Sequence, residues 1–573
     1  MIIISNPNIL NKVISLTKNN SDKKIFVFGD WTDDQQYQDD VRKNNIKVLP
    51  ISHSKNSAAN FARFERTYND ELVAFINKLN LVHKKSSNSR NWEMLIGPYL
   101  KTVIYTILSR ERLIYDLKLE KEVIFYSNHL SIEEHIPYNY QDFTKLLYSH
   151  EWNSLIYSLI FKKLGYKVVY VKNNNGREKK AKPIIRKNIF LFYFRKLFFL
   201  NKRKNLIIDL GFNNVIEKII KILTLNFYVY RNDKESYELC NERKQKIFEL
   251  FELPTDKDHQ NIFNISYIFM PILYIENYII SLQKTPFPKK VKNIYSSTSH
   301  FINDKLKIWL SEYYNNTDNN LFIFQHGGAF GFTRFNSHIE AIENNICDYR
   351  LTWGWSNKND NKIKEFISCK LLFRSRIFLK NNKMIILFCT RRKSYERGEA
   401  WDSPFWNNLY TKNLISLTNS LKHINKFFVK LHPEQKKFGV DLKKDIHIKC
   451  NFENFIEHNN SDKILRYSSL NICTNNSTVF LESLKLNRPT ILIFWDYKIN
   501  PLYKERFKDI RDLMSVNIVF LDPESAIKFI NKIHFNVDRW WNKNDVQMKK
   551  NKFVSKYANT NLLKSLQKIK LNK

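Results

Sequence analysis

Short apolar runs punctuate the chain, and their spacing changes along it. Residues 23–31 (KKIFVFGDW) form an apolar run that closes on Gly-Asp, the pattern of a buried strand feeding a loop. Residues 45–51 (NIKVLPI) read as a second strand. From 92 to 119 the apolar positions take helical spacing, in a stretch that opens with Trp92, Gly97 and Pro98. Residues 151–171 read as a helix, a turn at Gly165 and the strand YKVVYV. The stretch 172–204 is basic and irregular, with NNNGREKKAK as a surface loop, and 205–285 reads as mainly helical.

From 293 the alternation sharpens. NIYSST is followed by a helix to about 314, by the strand LFIFQ ending in His326-Gly327-Gly328, and by the apolar stretch YRLTWGW at 349–355. After the polar run SNKNDNK, residues 383–389 (KMIILFC) begin a regular series. It continues as a helix at 411–423, strands at 426–431 and 446–449, a helix at 460–467, a strand at 470–473, a helix at 477–486 and a strand at 490–494. Short strands alternating with helices predict α/β architecture, a parallel sheet covered by helices on both faces. The boundary between two domains falls near 358–380, and no internal repeat is visible.

Composition narrows the class. A chain of 573 residues exceeds what one core usually organises, and 43% hydrophobic with 14% aromatic residues excludes a disordered chain. The formal charge of +37 attracts polyanions without selecting one. Lys and Arg are spread along the whole length, with no zinc-finger spacing or RNP-like motif, so no nucleic-acid partner is expected. The six cysteines contain no CxxC pair and read as buried free thiols of a reducing compartment. The N-terminal MIIISNPNILNKV is too short an apolar stretch for a signal peptide, and no run of about 18 apolar residues occurs. The expected location is the cytoplasm. Residues 189–200 (IFLFYFRKLFFL), flanked by Arg186, Lys187 and Lys202–Lys204, fit either a core element or peripheral contact through 186–204 with the anionic inner face of the membrane.

In an open parallel sheet, ligands bind beyond the carboxyl ends of the strands. Three motifs take such positions. Lys430-Leu431-His432-Pro433 follows the strand FFV, and the proline ends the strand, so Lys430 and His432 stand where both can donate to a phosphate. A structural histidine at a strand end is the alternative. Cys473-Thr474-Asn475-Asn476-Ser477-Thr478 opens the helix VFLESLKLN. Hydroxyl and amide groups there cap free N–H groups, and the same geometry binds phosphate. Glu482, one turn further, is a candidate for a ribose hydroxyl. Gln325-His326-Gly327-Gly328 follows LFIF; Gly327 and Gly328 permit close backbone approach, and His326 suits a general base or a second phosphate donor. Asp30 after IFVFG is a second candidate base or a loop cap, and Arg391 after MIILFC a candidate for a diphosphate or a solvated charge. No Asp-x-Asp closes an apolar strand, and no Walker or GxGxxG loop occurs, so metal-independent chemistry with no cofactor is expected.

His-Pro after one strand and Ser/Thr opening a later helix resemble the donor sites of GT-B sialyltransferases and Kdo transferases. There the His and hydroxyls hold the phosphate of a CMP-sugar. CDP-glycerol polymerases of teichoic acid synthesis carry similar elements plus an HG pair, to which His326-Gly327 would correspond. Across nearly the whole chain, FGDW (28–31), IGPYL (96–100), EWNSLIYS (151–158), QHGGAFG (325–331), TWGW (352–355), STVFLESLKLNRPT (477–490) and WW-x4-VQ (540–547) together resemble a transferase family of O-antigen biosynthesis clusters. Lys430 departs from the Arg expected before Leu-His-Pro; a phosphate contact survives that change, bidentate carboxylate recognition does not.

The resemblance implies a GT-B-like fold of two Rossmann-like domains facing a central cleft. Residues 1–365 would form the acceptor-side domain, with a helical, basic insertion at about 172–290. Residues 375–540 would bind the nucleotide donor, and the tail 541–573 would pack back on the N-terminal domain. The implied activity moves a nucleotide-activated sugar, favoured as a CMP-linked nonulosonate or Kdo-like sugar, onto a glycan or lipid-linked glycan acceptor. The alternatives are a CDP-alditol phosphotransferase and a non-catalytic basic protein that binds nucleic acid or membrane.

Overall fold

In the computed structural model the apolar runs become, among the described residues, three β-sheets whose strand pairings are all parallel. The structure describes residues 1–17, 24–33, 35–49, 57–128, 131–171, 202–224, 239–252, 264–285, 287–288, 290–313, 319–335, 338–357, 359–372, 384–390, 395, 404–435, 441–457, 461–495, 501–563 and 565.

The first sheet holds β1 (Ile2–Ile4), β2 (Ile25–Val27), β3 (Lys47–Val48), β4 (Ile124–Asn128) and β5 (Lys167–Val171), in the order β3-β2-β1-β4-β5. The second holds β6 (Lys202–Ile207), β7 (Lys290–Ser296), β8 (Asn320–Phe324), β9 (Tyr349–Thr352) and β10 (Ile363–Glu365), side by side in sequence order. The third holds β11 (Met384–Phe388), β12 (Phe427–Lys430), β13 (Phe455–Ile456), β14 (Ser468–Cys473), β15 (Thr490–Ile493) and β16 (Val519–Phe520), in the order β13-β12-β11-β14-β15-β16. The first and third sheets are doubly wound: each begins at its centre, extends to one side, then returns to extend the other. Strands covered on both faces need continuous apolar side chains, which is why Ile2–Ile4 and Ile385–Leu387 are almost wholly buried.

The helix Ser89–Asp116 ties the first two sheets together. Asn88 caps it, its side chain accepting from the Asn91 N–H at 3.0 Å. From Asn91 to Ile104 every residue is buried, the signature of a helix enclosed on all sides. One apolar core therefore runs from Ile3 and Phe125 through Tyr99 and Ile104 to Ile294 and Ile323. A separate core serves the third sheet and takes in Phe332, Trp353 and Trp355 from beyond β8 and β9. The last long helix, Asn544–Tyr557, lays Phe553 on Phe480 and sets Tyr557 4.6 Å from the Phe332 ring. Beyond it Asn559 donates to the Trp353 carbonyl at 2.9 Å and accepts from the Ser368 N–H at 2.7 Å.

Two local readings differ from the sequence pattern. Residues 446–449 lie in the helix Leu442–Cys450, where the Asp441 side chain caps the start and Asn451, at φ 47°, ends it. Those two caps outweigh four residues of apparent alternation. The stretch read as a helical insertion contains β6, an edge strand whose Lys-Arg-Lys start masks its apolar end. Most of the aromatic segment 186–204 lies outside the described residues. Among the described residues, no helix is long and apolar enough to cross a membrane. The six cysteines are free, five of them buried.

Candidate functional site

The second and third sheets meet through their strand ends. The loop after β8 begins with Gln325, which is buried and fully engaged. Its Oε1 accepts from the Trp353 N–H and the Trp355 Nε1–H, both at 2.9 Å, and its Nε2 donates to the Gly327 carbonyl at 2.6 Å. Gly331 closes the loop at φ 77°, where a Cβ would lie 2.4 Å from the Trp355 ring. Only glycine fits such a position. Arg506 fastens the same turn, donating through Nε to the Gly331 carbonyl at 2.9 Å.

This loop carries Gly328 onto the start of the helix Thr478–Lys485. The Gly328 N–H donates to Thr478 Oγ1 at 3.2 Å. A Cβ on Gly328 would lie 2.9 Å from the Ser477 carbonyl group and the Thr478 nitrogen, so a side chain there has no room. Ser477 is the helix N-cap in extended conformation, yet its hydroxyl makes no capping hydrogen bond. Asn476, beside it, is 6% exposed with neither amide atom paired. The structure thus brings Gly328 together with Ser477 and Thr478, while Gly327 faces Phe330.

Behind the loop stands a buried charged cluster. His326, part-exposed, lies with Nε2 3.1 Å from Glu343 Oε1 and packs its ring edge-on to Phe330 at 4.7 Å. Glu343 and Glu340 sit on the helix His338–Ile346. His300 Nε2 approaches the same Glu343 oxygen at 3.1 Å, and Arg350 Nη2 lies 3.3 Å from Oε2. Burial would raise the Glu343 carboxyl, but His326, the His300 hydrogen bond and Arg350 hold it well below the usual carboxylate range. Glu340 goes the other way. Burial raises it, Arg350 opposes, Glu343 adds to the rise, and its Oε1 accepts the Gly331 N–H at 2.9 Å. Because ionised Glu343 can only accept, His326 Nε2 carries its proton and Nδ1 is left as the basic nitrogen.

The third sheet supplies the opposite wall. Phe388 on β11 pairs in register with Lys430 on one side and Cys473 on the other. The Lys-Leu-His-Pro and Thr-Asn-Asn-Ser elements therefore share one sheet edge, two strand spacings or about 10 Å apart. Lys430 is 3% exposed, and burial pushes its ammonium below the ordinary lysine range while Cys389 opposes. His432 is half-buried, and its Nδ1 accepts the Glu434 N–H at 3.2 Å, which leaves Nε2 as the protonated nitrogen in the neutral ring. Tyr410 locks the two central strand ends: its hydroxyl accepts the Thr390 N–H at 2.7 Å, lies 3.0 Å from Thr474 Oγ1, and its ring stacks on Trp495 at 5.6 Å.

Other expected residues lie elsewhere. Glu482 is buried, with its carboxylate 3.8 Å from Lys370 Nζ. Asp30 begins the short helix Asp30–Asp33 after β2, on the first sheet. Arg391 lies outside the described residues. Among the described residues, no group of three or more His, Cys, Asp or Glu is placed to hold a metal ion. Sequence reasoning missed Glu340, Glu343, Arg350 and His300. The two glutamates are three apart on one helix face shortly after the QHGG element, a faint signal; His300 and Arg350 carried none.

The sequence profile described as LIC12162 family transferase matches residues 13–568. No curated protein sequence matches significantly. Among solved structures, the wall teichoic acid polymerase TagF, a variant soaked with CDPG, is 12% identical over 67% of this chain and 94% of that one, with a TM-score of 0.34. The glycotransferase of kitacinnamycin is 7% identical over 100% and 98%, at 0.26. The calicheamicin glycosyltransferase CalG4 is 8% identical over 100% and 97%, at 0.24.

Proposed function

The chain belongs to the LIC12162 family of transferases, and from that premise we propose that it transfers a sugar from a nucleotide donor to a surface-polysaccharide acceptor. The observation that carries the reading is the Gly328 contact with Thr478, which sets a histidine loop against a helix start whose cap is unfilled. Free N–H groups at a helix start favour an anion, and buried unpaired Asn476 adds a polar group lacking a partner. The nucleotide phosphate would sit at Ser477, Thr478 and Asn476, with Lys430 and His432 facing it from the end of β12, two strands away on the same sheet edge. Donors fixed in place stabilise the charge that grows on the leaving phosphate. His326 would take the acceptor hydroxyl proton through Nδ1, with Glu343 holding the ring in that tautomer.

The favoured donor is a CMP-linked nonulosonate or Kdo-like sugar, and the acceptor a glycan or lipid-linked glycan. A peripheral position at an anionic membrane belongs to the same proposal. The helix Asn214–Leu223 exposes Val215, Ile219, Ile222 and Leu223 on one side, with Lys218 beside them. Such a face suits a lipid headgroup boundary.

A melting-temperature screen against CMP, CDP, UDP, GDP and their conjugates tests the donor, because a ligand of the folded state raises the transition. The expected result is a shift with CMP that His432→Ala abolishes. A shift that survives His432→Ala would remove the phosphate assignment. The His-Gly pair at 326–327 favours a second reading, transfer of an alditol phosphate from a CDP donor. A phosphodiester in the product would select it.

A further inference from the structure

His300 is 1% exposed, on the short helix Ser299–Ile302 that follows β7. Both of its ring nitrogens are engaged. Nδ1 lies 3.1 Å from Ser296 Oγ, and Nε2 lies 3.1 Å from Glu343 Oε1. A serine hydroxyl has one proton to give, and Ser296 gives it to Asp209 Oδ1 at 2.8 Å. Asp209, just beyond β6, also accepts the N–H groups of Ser297 at 3.1 Å and Thr298 at 2.7 Å, which fixes it as an anion. The Ser296 oxygen is therefore left to accept from His300, so Nδ1 carries a proton. Glu343 faces two histidines and Arg350 and can only accept, so Nε2 carries a proton too.

We propose that His300 is a buried imidazolium, held between Ser296 and Glu343, that positions and tunes His326 through the shared carboxylate. The inference rests on His326 being the base only for its functional consequence. The groups that face this pair are Ser296 of β7, Asp209 beyond β6, Glu340 and Glu343 of one helix, and Arg350 of β9. Glu343 divides one negative charge among His300, Arg350 and His326. Two of these are already cations, so a third proton on His326 meets a carboxylate largely neutralised. The neutral, proton-accepting form of His326 is favoured as a result. His300 itself gives up no proton in the reaction. It touches neither donor nor acceptor and is a positioning residue.

The charge can be read without any substrate. In protein labelled at the ring nitrogens of its 14 histidines, long-range nitrogen–proton spectra distinguish imidazolium from either neutral tautomer. His300→Gln assigns the signal. The expected result is two protonated nitrogens on His300, as the partners Ser296 and Glu343 require. A neutral ring at pH about 7.5 would overturn the proposal, whatever reaction the protein catalyses. In a transfer assay His300→Gln is expected to move the acid limb of the rate profile to higher pH, with activity near pH 6 falling about tenfold and the alkaline plateau little changed. Equal loss at every pH, with an unchanged acid limb, means a structural role alone and rejects the tuning.

Discussion

At Gly328 a single hydrogen atom separates two states of the molecule. The loop after β8 can touch the helix at Thr478 only because nothing projects from Cα, and a methyl group would lie 2.9 Å from backbone atoms that cannot yield. Gly328→Ala is expected to leave the circular-dichroism spectrum intact and to abolish transfer; an active variant would mean that the contact is dispensable. Glu343 is the second pivotal residue. Its buried carboxylate faces Arg350 and His300, both buried, and the part-exposed His326. Glu343→Gln removes the anion and leaves His300 without its carboxylate and Arg350 with Glu340 alone, at a cost of about 3–5 kcal/mol. Urea denaturation checks this, and a loss below about 1 kcal/mol would show that the cluster is solvated.

At the scale of elements, two helix ends hold histidines as neutral rings. His83, at the end of the helix Ser57–His83, lies between Trp92 and Tyr278 with Nε2 3.0 Å from the Tyr274 carbonyl. His150, at the start of the helix His150–Lys163, has Nδ1 2.7 Å from the hydroxyl of Tyr395, which follows β11 of the third sheet. Burial lowers both to about 4. The unfolded chain takes up these protons below about pH 6.5, whereas the folded chain resists until about pH 4. The contribution of these two rings to stability is therefore full above about pH 6.5 and falls as the pH drops towards 4, by roughly 3 kcal/mol for each ring at most. Melting temperatures across that range are expected to fall, and His83→Asn and His150→Asn together to flatten the decline. A profile flat from pH 7 to pH 4 would contradict the burial.

For the whole molecule, the proposed membrane contact rests on the charge of +37 and the exposed apolar side of the helix Asn214–Leu223. Binding to vesicles rich in anionic lipid is expected, weakening as salt is added, with Ile219→Asp reducing it at constant charge elsewhere. Equal binding to neutral vesicles would leave the charge without a role. The parallel α/β class, most third-sheet elements and the strand-end motifs were legible in the sequence. Apolar period, capping residues and glycine limits are local properties, so KMIILFC, KLHP and NNST announced themselves without neighbours. The strand at 446–449 failed because two caps at Asp441 and Asn451 decided the segment. What only the tertiary structure decided is which distant pieces share a space. Gly328 meets Thr478 across 150 residues, and Glu343 joins His326, His300 and Arg350 from three other elements. Such partners are chosen by where sheets pack and which polar groups must pair once water is excluded, and no periodicity along one chain encodes that.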